Sequence, residues 1–514
     1  MSDKEHDVQS TNPQTTSNTP RGAGRFLKFS LIYAFGDLLT KGARIVLIPY
    51  YLSMMTQAEV GELAVLQAII ILSWTILAFG FGFVVRRYYH DYQDQGDSFV
   101  STLWTARILG GLPIYGLLLL AGYAFFNYSD GSIPLAWILL AITAGYLKGG
   151  LNIVEFWLNI REEPVKYRAF TFFQFLTTTL LIIFFVSAKR LGVQGVIIGE
   201  LLSYSIFAII SAFMLFRKAL PNLRAVRWRE VFSYCLPVLP HALFMWGLMG
   251  VDRLILNEYV ATERIAIYEV GYLLGSFLSV IVRSMRAAWI PTYFKNANDS
   301  DSGEQFGKLA TIYFYFAFYA ALGGMLFAPE IIYLFSFTSS KTYLDSVYVM
   351  RIVIYGFVAM ALFLAINQPL LYQRRTGLLA MISGTGLAVN VAANLLLIPQ
   401  YGIYGAAFAT VIAYIVMTTM TFVITTRLYS FEWETRTNLM FGAYFLLFGA
   451  AACLMPPTPT IWFVPIKTGL AILFPLATLF RLTRSSTGLV KIEARFTWTN
   501  LAALRRKRRS EKAL

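Results

Sequence analysis

SVYVMRIVIYGFVAMALFLAINQPLL, residues 346–371, decides the class of fold. This run holds a single charge, Arg351, and as a helix at ~1.5 Å per residue it outspans a hydrocarbon core of ~30 Å. Comparable runs recur at 27–52, 62–85, 101–125, 134–157, 168–187, 196–216 and 231–251, then at 266–290, 309–329, 378–398, 405–426, 437–455 and 461–480. The expected fold is therefore an all-α integral membrane protein with about fourteen transmembrane helices. A closed barrel is excluded, because barrel strands alternate in polarity and run only ~10 residues. Composition agrees: 57% hydrophobic and 14% charged residues lie outside the range of soluble domains.

Residues 1–25 are polar, rich in Ser, Thr, Asn and Pro, and lack the apolar stretch of a signal peptide, so they read as a disordered cytoplasmic tail. Cys235 and Cys453 fall at opposite ends of their helices, which argues against a disulfide. The net charge of +15 is explained by where the cations sit. With the N-terminus inside, the cytoplasmic segments carry most of the Lys and Arg, whereas the external loops carry only Lys189, Arg190, Arg253, Arg264 and Lys341. Both termini are expected to be cytoplasmic, and the basic run at 505–509 lies by the inner leaflet. Nothing else supports nucleic acid as a partner.

LGVQGV at 191–196 is echoed by YGIYGA at 401–406, and TQAEVGEL at 56–63 by ATERIAIY at 261–268. An even number of spans per unit makes the copies parallel, related by an axis along the membrane normal with a central site between them. The expected organisation is a tail at 1–25, an N-lobe at 26–217, a C-lobe at 218–427, an appended helix pair at 428–481 and a basic cytoplasmic tail at 482–514.

Charges inside these spans need compensation, since a central Arg, Lys or Asp costs about 2.5–3.5 kcal/mol even on the mildest scales. The basic ones are Lys41, Arg44, Arg107, Lys148, Arg283, Arg286, Arg351 and Lys467; the acidic ones are Asp37, Glu155, Glu200 and Glu269. Helical spacing gathers them into stripes: Asp37, Lys41 and Arg44; Lys148, Asn152 and Glu155; Glu269, Tyr272, Ser276, Ser279, Arg283 and Arg286; Tyr348, Arg351 and Tyr355. Polar faces on otherwise apolar helices imply a shared water-filled cavity. Arg107, Lys467, Glu200 and Lys148 also fit a plainer reading in which they snorkel to an interface. Asp37 with Lys41 reads equally as a buried pair that orients its helix. Arg44, Arg283 and Arg286 outnumber nearby acids and suit a phosphate or carboxylate by bidentate hydrogen bonding, with Arg351, Lys41 and Lys148 as further contacts. Tyr272, Tyr348 and Tyr355 lie on charged stripes and are candidates to stack on sugars. Asp37, Glu269 and Glu155 are candidates for ion or proton coupling, and His241 fits either a proton shuttle or a hydrogen-bonded structural role.

Three His and two Cys make no metal-ligand cluster, and no phosphate-binding glycine loop or large soluble segment occurs. The chain reads as a non-enzyme with no cofactor or metal.

PVLPHAL at 237–243, DRLIL at 252–256, IYEVGY at 267–272, AWIPTYF at 288–294 and NLLLIPQYGIYGAA at 394–407 together resemble polysaccharide flippases of the Wzx type. The resemblance covers residues 26–427. It implies the multidrug/oligosaccharidyl-lipid/polysaccharide exporter fold, with two six-helix lobes around a V-shaped cavity and alternating access. The last two helices resemble the extra pair of MurJ-type peptidoglycan lipid flippases, which border a groove for the lipid tail. The implied cargo is an oligosaccharide repeat unit on undecaprenyl pyrophosphate, flipped from the cytoplasmic to the periplasmic leaflet of the bacterial inner membrane. It would serve O-antigen, capsule or exopolysaccharide synthesis beside polymerase and export proteins. Rival readings are a cation-coupled multidrug exporter of the same superfamily, a membrane glycan polymerase or ligase, and a scaffold.

Overall fold

The computed structural model describes residues 47–128, 133–161, 163–296, 302–336, 342–372, 375–428 and 433–478. Its first half comprises α1 (Gln57–Leu77), α2 (Phe81–Tyr88), α3 (Gly96–Tyr128), α4 (Leu135–Ile160), α5 (Pro164–Ile183) and α6 (Gly192–Phe216). Then follow α7 (Trp228–Tyr259), α8 (Thr262–Asn296), α9 (Ser302–Leu326), α10 (Ala328–Phe335), α11 (Ser346–Ile366) and α12 (Gln368–Tyr372). The chain continues as α13 (Thr376–Tyr401), α14 (Ile403–Leu428), α15 (Thr435–Leu454) and α16 (Val464–Thr478).

Among the described residues, 12 helices are long and apolar enough to cross a bilayer. They correspond to the second through thirteenth expected runs. The first run lies almost wholly outside the described residues, and α16, at the position of the last, is shorter than a full span.

Local chemistry explains the helix ends. Thr56 caps α1 reciprocally with Glu59: the Glu59 amide donates to the Thr56 hydroxyl at 3.3 Å, and the Thr56 amide donates to the Glu59 carboxylate at 2.8 Å. The two echoing glycine motifs open α6 and α14 in the same way. Gly192 and Gly402, which occupy the same place in each motif, take left-handed φ values of 52° and 55°. The second run is broken rather than continuous, because Phe79 and Gly80, at φ 51° and 69°, separate α1 from α2.

Within the first half, α4 packs on α1, α3 and α6. Within the second, α11 is enclosed by α8, α9 and α14, and 83% of its span is buried. The halves meet where α1 lies against α7 and α8. Here the other pair of echoing segments touches: Gln57 Nε2 donates to the Glu263 carbonyl at 3.1 Å. A Cβ on Gly61 would stand 1.8 Å from the Thr262 carbonyl oxygen, so glycine permits the approach. On the expected cytoplasmic side, α2 meets the start of α7 through an edge-on Tyr88–Tyr234 pair with ring centroids 5.8 Å apart.

Two expectations about placement change. Helix α7 runs on to Tyr259 instead of ending at 251, so Arg253, expected in an external loop, lies inside a helix together with Asp252. Arg107 and Lys467 do not snorkel; each is 1% exposed.

Candidate functional site

One helix, α8, carries the whole stripe from Glu269 to Arg286. Its two ends differ in electrostatics. At Glu269 the charges are paired, two carboxylates sharing one guanidinium: Arg253 Nε and Nη2 donate to Glu269 Oε2 at 3.0 and 2.8 Å, and Arg253 Nη1 donates to Asp252 Oδ1 at 2.8 Å. The Tyr268 hydroxyl donates to the other Asp252 oxygen. Arg253 lies over two aromatic rings, 4.0 Å from the Tyr272 centroid and 5.2 Å from that of Tyr268. Asp252, Arg253, Tyr268 and Tyr272 are all buried, and Glu269 alone of the group keeps a partly exposed side chain, at 25%. Tyr272 is thus the platform for a guanidinium within the protein.

The other end is unmatched. Arg283 is exposed and Arg286 half-buried, one turn apart, and neither has an acidic partner among the described residues. Arg286 Nε is buried with no hydrogen-bond partner there. Tyr414 on α14 and Tyr313 on α9 are the electrostatic neighbours of Arg283 and Arg286 respectively. A charge of +2 on one helix face, beside phenols, can grip a dianionic group.

Other candidates are engaged elsewhere. Arg351 is 1% exposed and holds two helix ends together, with Nε donating to the Met325 carbonyl at 3.2 Å and Nη1 to the Met455 carbonyl at 2.9 Å. It stabilises helix C-termini, which carry partial negative charge. Tyr355, four residues on, packs on Phe445 of α15 with centroids 5.4 Å apart, and its hydroxyl lies against Gly449. Tyr348 pairs edge-on with Tyr404 at 6.4 Å. Lys467 on α16 donates to Glu330 at 2.6 Å. His241 Nδ1 lies 3.1 Å from the Ser383 hydroxyl, joining α7 to α13. Asp37, Lys41 and Arg44 lie outside the described residues.

The first half has its own polar cluster. Gln67 Nε2 on α1 donates to Glu200 Oε2 on α6 at 3.1 Å. Lys148 on α4 holds its ammonium 5.0 Å from the Trp74 ring and 5.3 Å from the Tyr204 ring. Glu155 lies two turns along α4 from Lys148. Among the described residues no group of three His, Cys, Asp or Glu side chains converges as a metal site would require.

The sequence pattern of the family described as "Polysaccharide biosynthesis protein" matches residues 26–297, more than half of the 514 residues. The chain belongs to this family. The part matched to the polysaccharide biosynthesis protein family contains the Asp252–Arg253–Glu269 group, the Arg283–Arg286 pair and the cluster around Lys148, whereas Arg351, Tyr348, Tyr355 and Lys467 lie beyond it.

Among solved structures, the lipid II flippase MurJ in an inward closed conformation is 17% identical, with a TM-score of 0.66 over 89% of this chain and 99% of that one. An inward-facing multidrug resistance MATE family transporter of the MOP superfamily is 16% identical, with a TM-score of 0.62 over 78% and 97% of the two chains. A Vibrio cholerae MATE transporter is 14% identical, with a TM-score of 0.57 over 79% and 96%. At these identities the likeness is one of fold, and the fold is that of membrane transporters. No curated protein matches the chain.

The members of the site that sequence reading missed are Asp252, Arg253 and Tyr268. A signal was present: Asp252 and Tyr268 are separated by the same 16 residues as Arg253 and Glu269, so two neighbouring pairs bridge α7 and α8 in register.

Proposed function

We propose that this protein flips undecaprenyl-pyrophosphate-linked oligosaccharide repeat units from the cytoplasmic to the periplasmic leaflet of the inner membrane. It works by alternating access of an N-lobe (26–217) and a C-lobe (218–427), with both termini cytoplasmic and no covalent chemistry of its own. The observation that carries this reading is the Arg283–Arg286 pair, two cations one turn apart with no acidic partner among the described residues, on a helix whose other end has its charges paired within the protein. A pyrophosphate brings the missing charge, and Arg44 of the first span is a further contact for it. The contact between the echoing segments at Gly61 and Thr262 supports an axis between two parallel repeats. Glu269, bound by Arg253 yet partly exposed, is the candidate for coupling to an ion or proton.

A cation-coupled drug exporter shares the fold but needs an accessible carboxylate without a partner, whereas the carboxylate of the α8 stripe, Glu269, is held by Arg253 and the exposed charge of that stripe, Arg283, is cationic. Deleting the gene should cause lipid-linked oligosaccharide to accumulate on the inner leaflet. Complementation by Arg283→Ala with Arg286→Ala, at normal expression, should fail to clear it. Full rescue by that double variant eliminates the anion site, and a deletion that alters only drug sensitivity favours the exporter.

A further inference from the structure

The tyrosines that sequence spacing offered for sugar stacking are occupied: Tyr272 lies under Arg253 and Tyr355 packs on α15. A different surface has the right chemistry. Helix α1 presents three faces at 100° per residue. Gly61 and Ala68 face the second half, where Trp246 Nε1 donates to the Ala68 carbonyl at 3.3 Å. Ile70 and Ser73 face Gly145 of α4. Gln67, Ile71 and Trp74, at steps of four and three, form the third face, and all three are partly exposed.

We infer that Trp74, Gln67 and Glu200 form a saccharide subsite, in which a pyranose ring lies on the Trp74 indole and its hydroxyls pair with the Gln67 amide and Glu200 carboxylate. This rests on the flippase reading above and gives the glycan its own place, apart from the phosphates. Three observations support it. The indole is positioned by the Lys148 ammonium over its ring, while its Nε1 is buried with no partner among the described residues, a donor still to be satisfied. Gln67 and Glu200 bond to each other through one atom each at 3.1 Å, which leaves the Gln67 carbonyl and the second Glu200 oxygen as acceptors for hydroxyls. Lys148 and Glu200 contribute opposite charges, so the surface is neutral as a whole and suits a hydroxylated ring rather than a second anion. Gln67 and Trp74 are about 10 Å apart along the axis, room for more than a head group.

The test uses the full chain in nanodiscs and two probes: undecaprenyl pyrophosphate alone, and the lipid-linked oligosaccharide extracted from cells lacking the gene. Wild type should bind the glycosylated probe more tightly. Trp74→Ala and Gln67→Ala should each erase about tenfold of that preference while leaving the bare lipid unchanged, and Trp74→Phe should restore part of it. Gln67→Ala also removes the interhelical bond to Glu200, so the unchanged binding of the bare lipid is the control for folding in each variant. An unchanged preference in both Trp74→Ala and Gln67→Ala overturns the subsite and leaves the flippase reading intact. Failure of wild type to bind either probe overturns both.

Discussion

Arg107 on α3 donates from Nε to the carbonyl of Leu77, the last residue of α1, at 3.0 Å, and its Nη2 reaches the Tyr146 carbonyl on α4. One buried guanidinium thus secures a helix end just before the Phe79–Gly80 break, and Gly149 leaves it room, since a Cβ there would lie 2.4 Å from Nη2. Arg107→Ala strands the Leu77 carbonyl in apolar surroundings at about 1–3 kcal/mol, while the Tyr146 carbonyl, inside α4, keeps its helical bond. Arg107→Lys should fall between, because an ammonium lacks the rigid fork. Apparent melting temperatures in detergent should rank wild type above Lys above Ala; an Ala variant that melts with wild type removes the clamp from the account.

With the orientation proposed above, the Tyr88–Tyr234 contact predicts a closure on the cytoplasmic side. Cysteines at both positions, in a chain with Cys235→Ala and Cys453→Ala, should support flipping until bridged by a short cleavable thiol cross-linker, and recover after cleavage. Full activity in the bridged protein would mean that α2 and α7 need not separate.

Around Arg253 the ionised groups sum to −1, with two carboxylates sharing one cation. Arg253→Leu should destabilise by about 3–5 kcal/mol, because it leaves those carboxylates uncompensated. Adding Asp252→Asn and Glu269→Gln should recover most of the loss, read as melting temperature and yield of folded protein. A triple variant no better than the single one shows that packing, rather than charge, sets the damage.

Lys467 and Glu330 tie α16 to α10 at 2.6 Å with the lysine 1% exposed. Lys467→Met should lower the melting temperature, and Lys467→Met with Glu330→Gln should regain much of it. Equal loss in both variants would indicate that the ammonium holds α16 by other contacts.

Much of the fold was legible because hydrocarbon imposes a length and a polarity on each helix, and apolar runs report both. The paired glycines were legible as well: repeated LGVQG and YGIYG segments each hold a glycine at positive φ, Gly192 and Gly402. Arg253 was not legible, since hydropathy assigns a charge to a loop unless its partner is known, and its partner is 16 residues away on the next helix. For Arg351 and Tyr355, spacing correctly predicts a shared helix face but carries no information on the neighbour. That neighbour is α15 with the end of α9, which turns a candidate ligand face into a buried joint.

The approach of Gly61 to Thr262 makes the start of α1 and the start of α8 a fulcrum. A backbone in contact with a backbone has little freedom to slide, so the alternating access proposed above would be levered about that point. Over the ~30 Å thickness of the bilayer, a rotation of about 10° at the fulcrum would move the far ends by about 5 Å, close to the 5.8 Å between the Tyr88 and Tyr234 rings. A bulky residue at position 61 would displace the pivot itself, and with it the stroke of the whole lever.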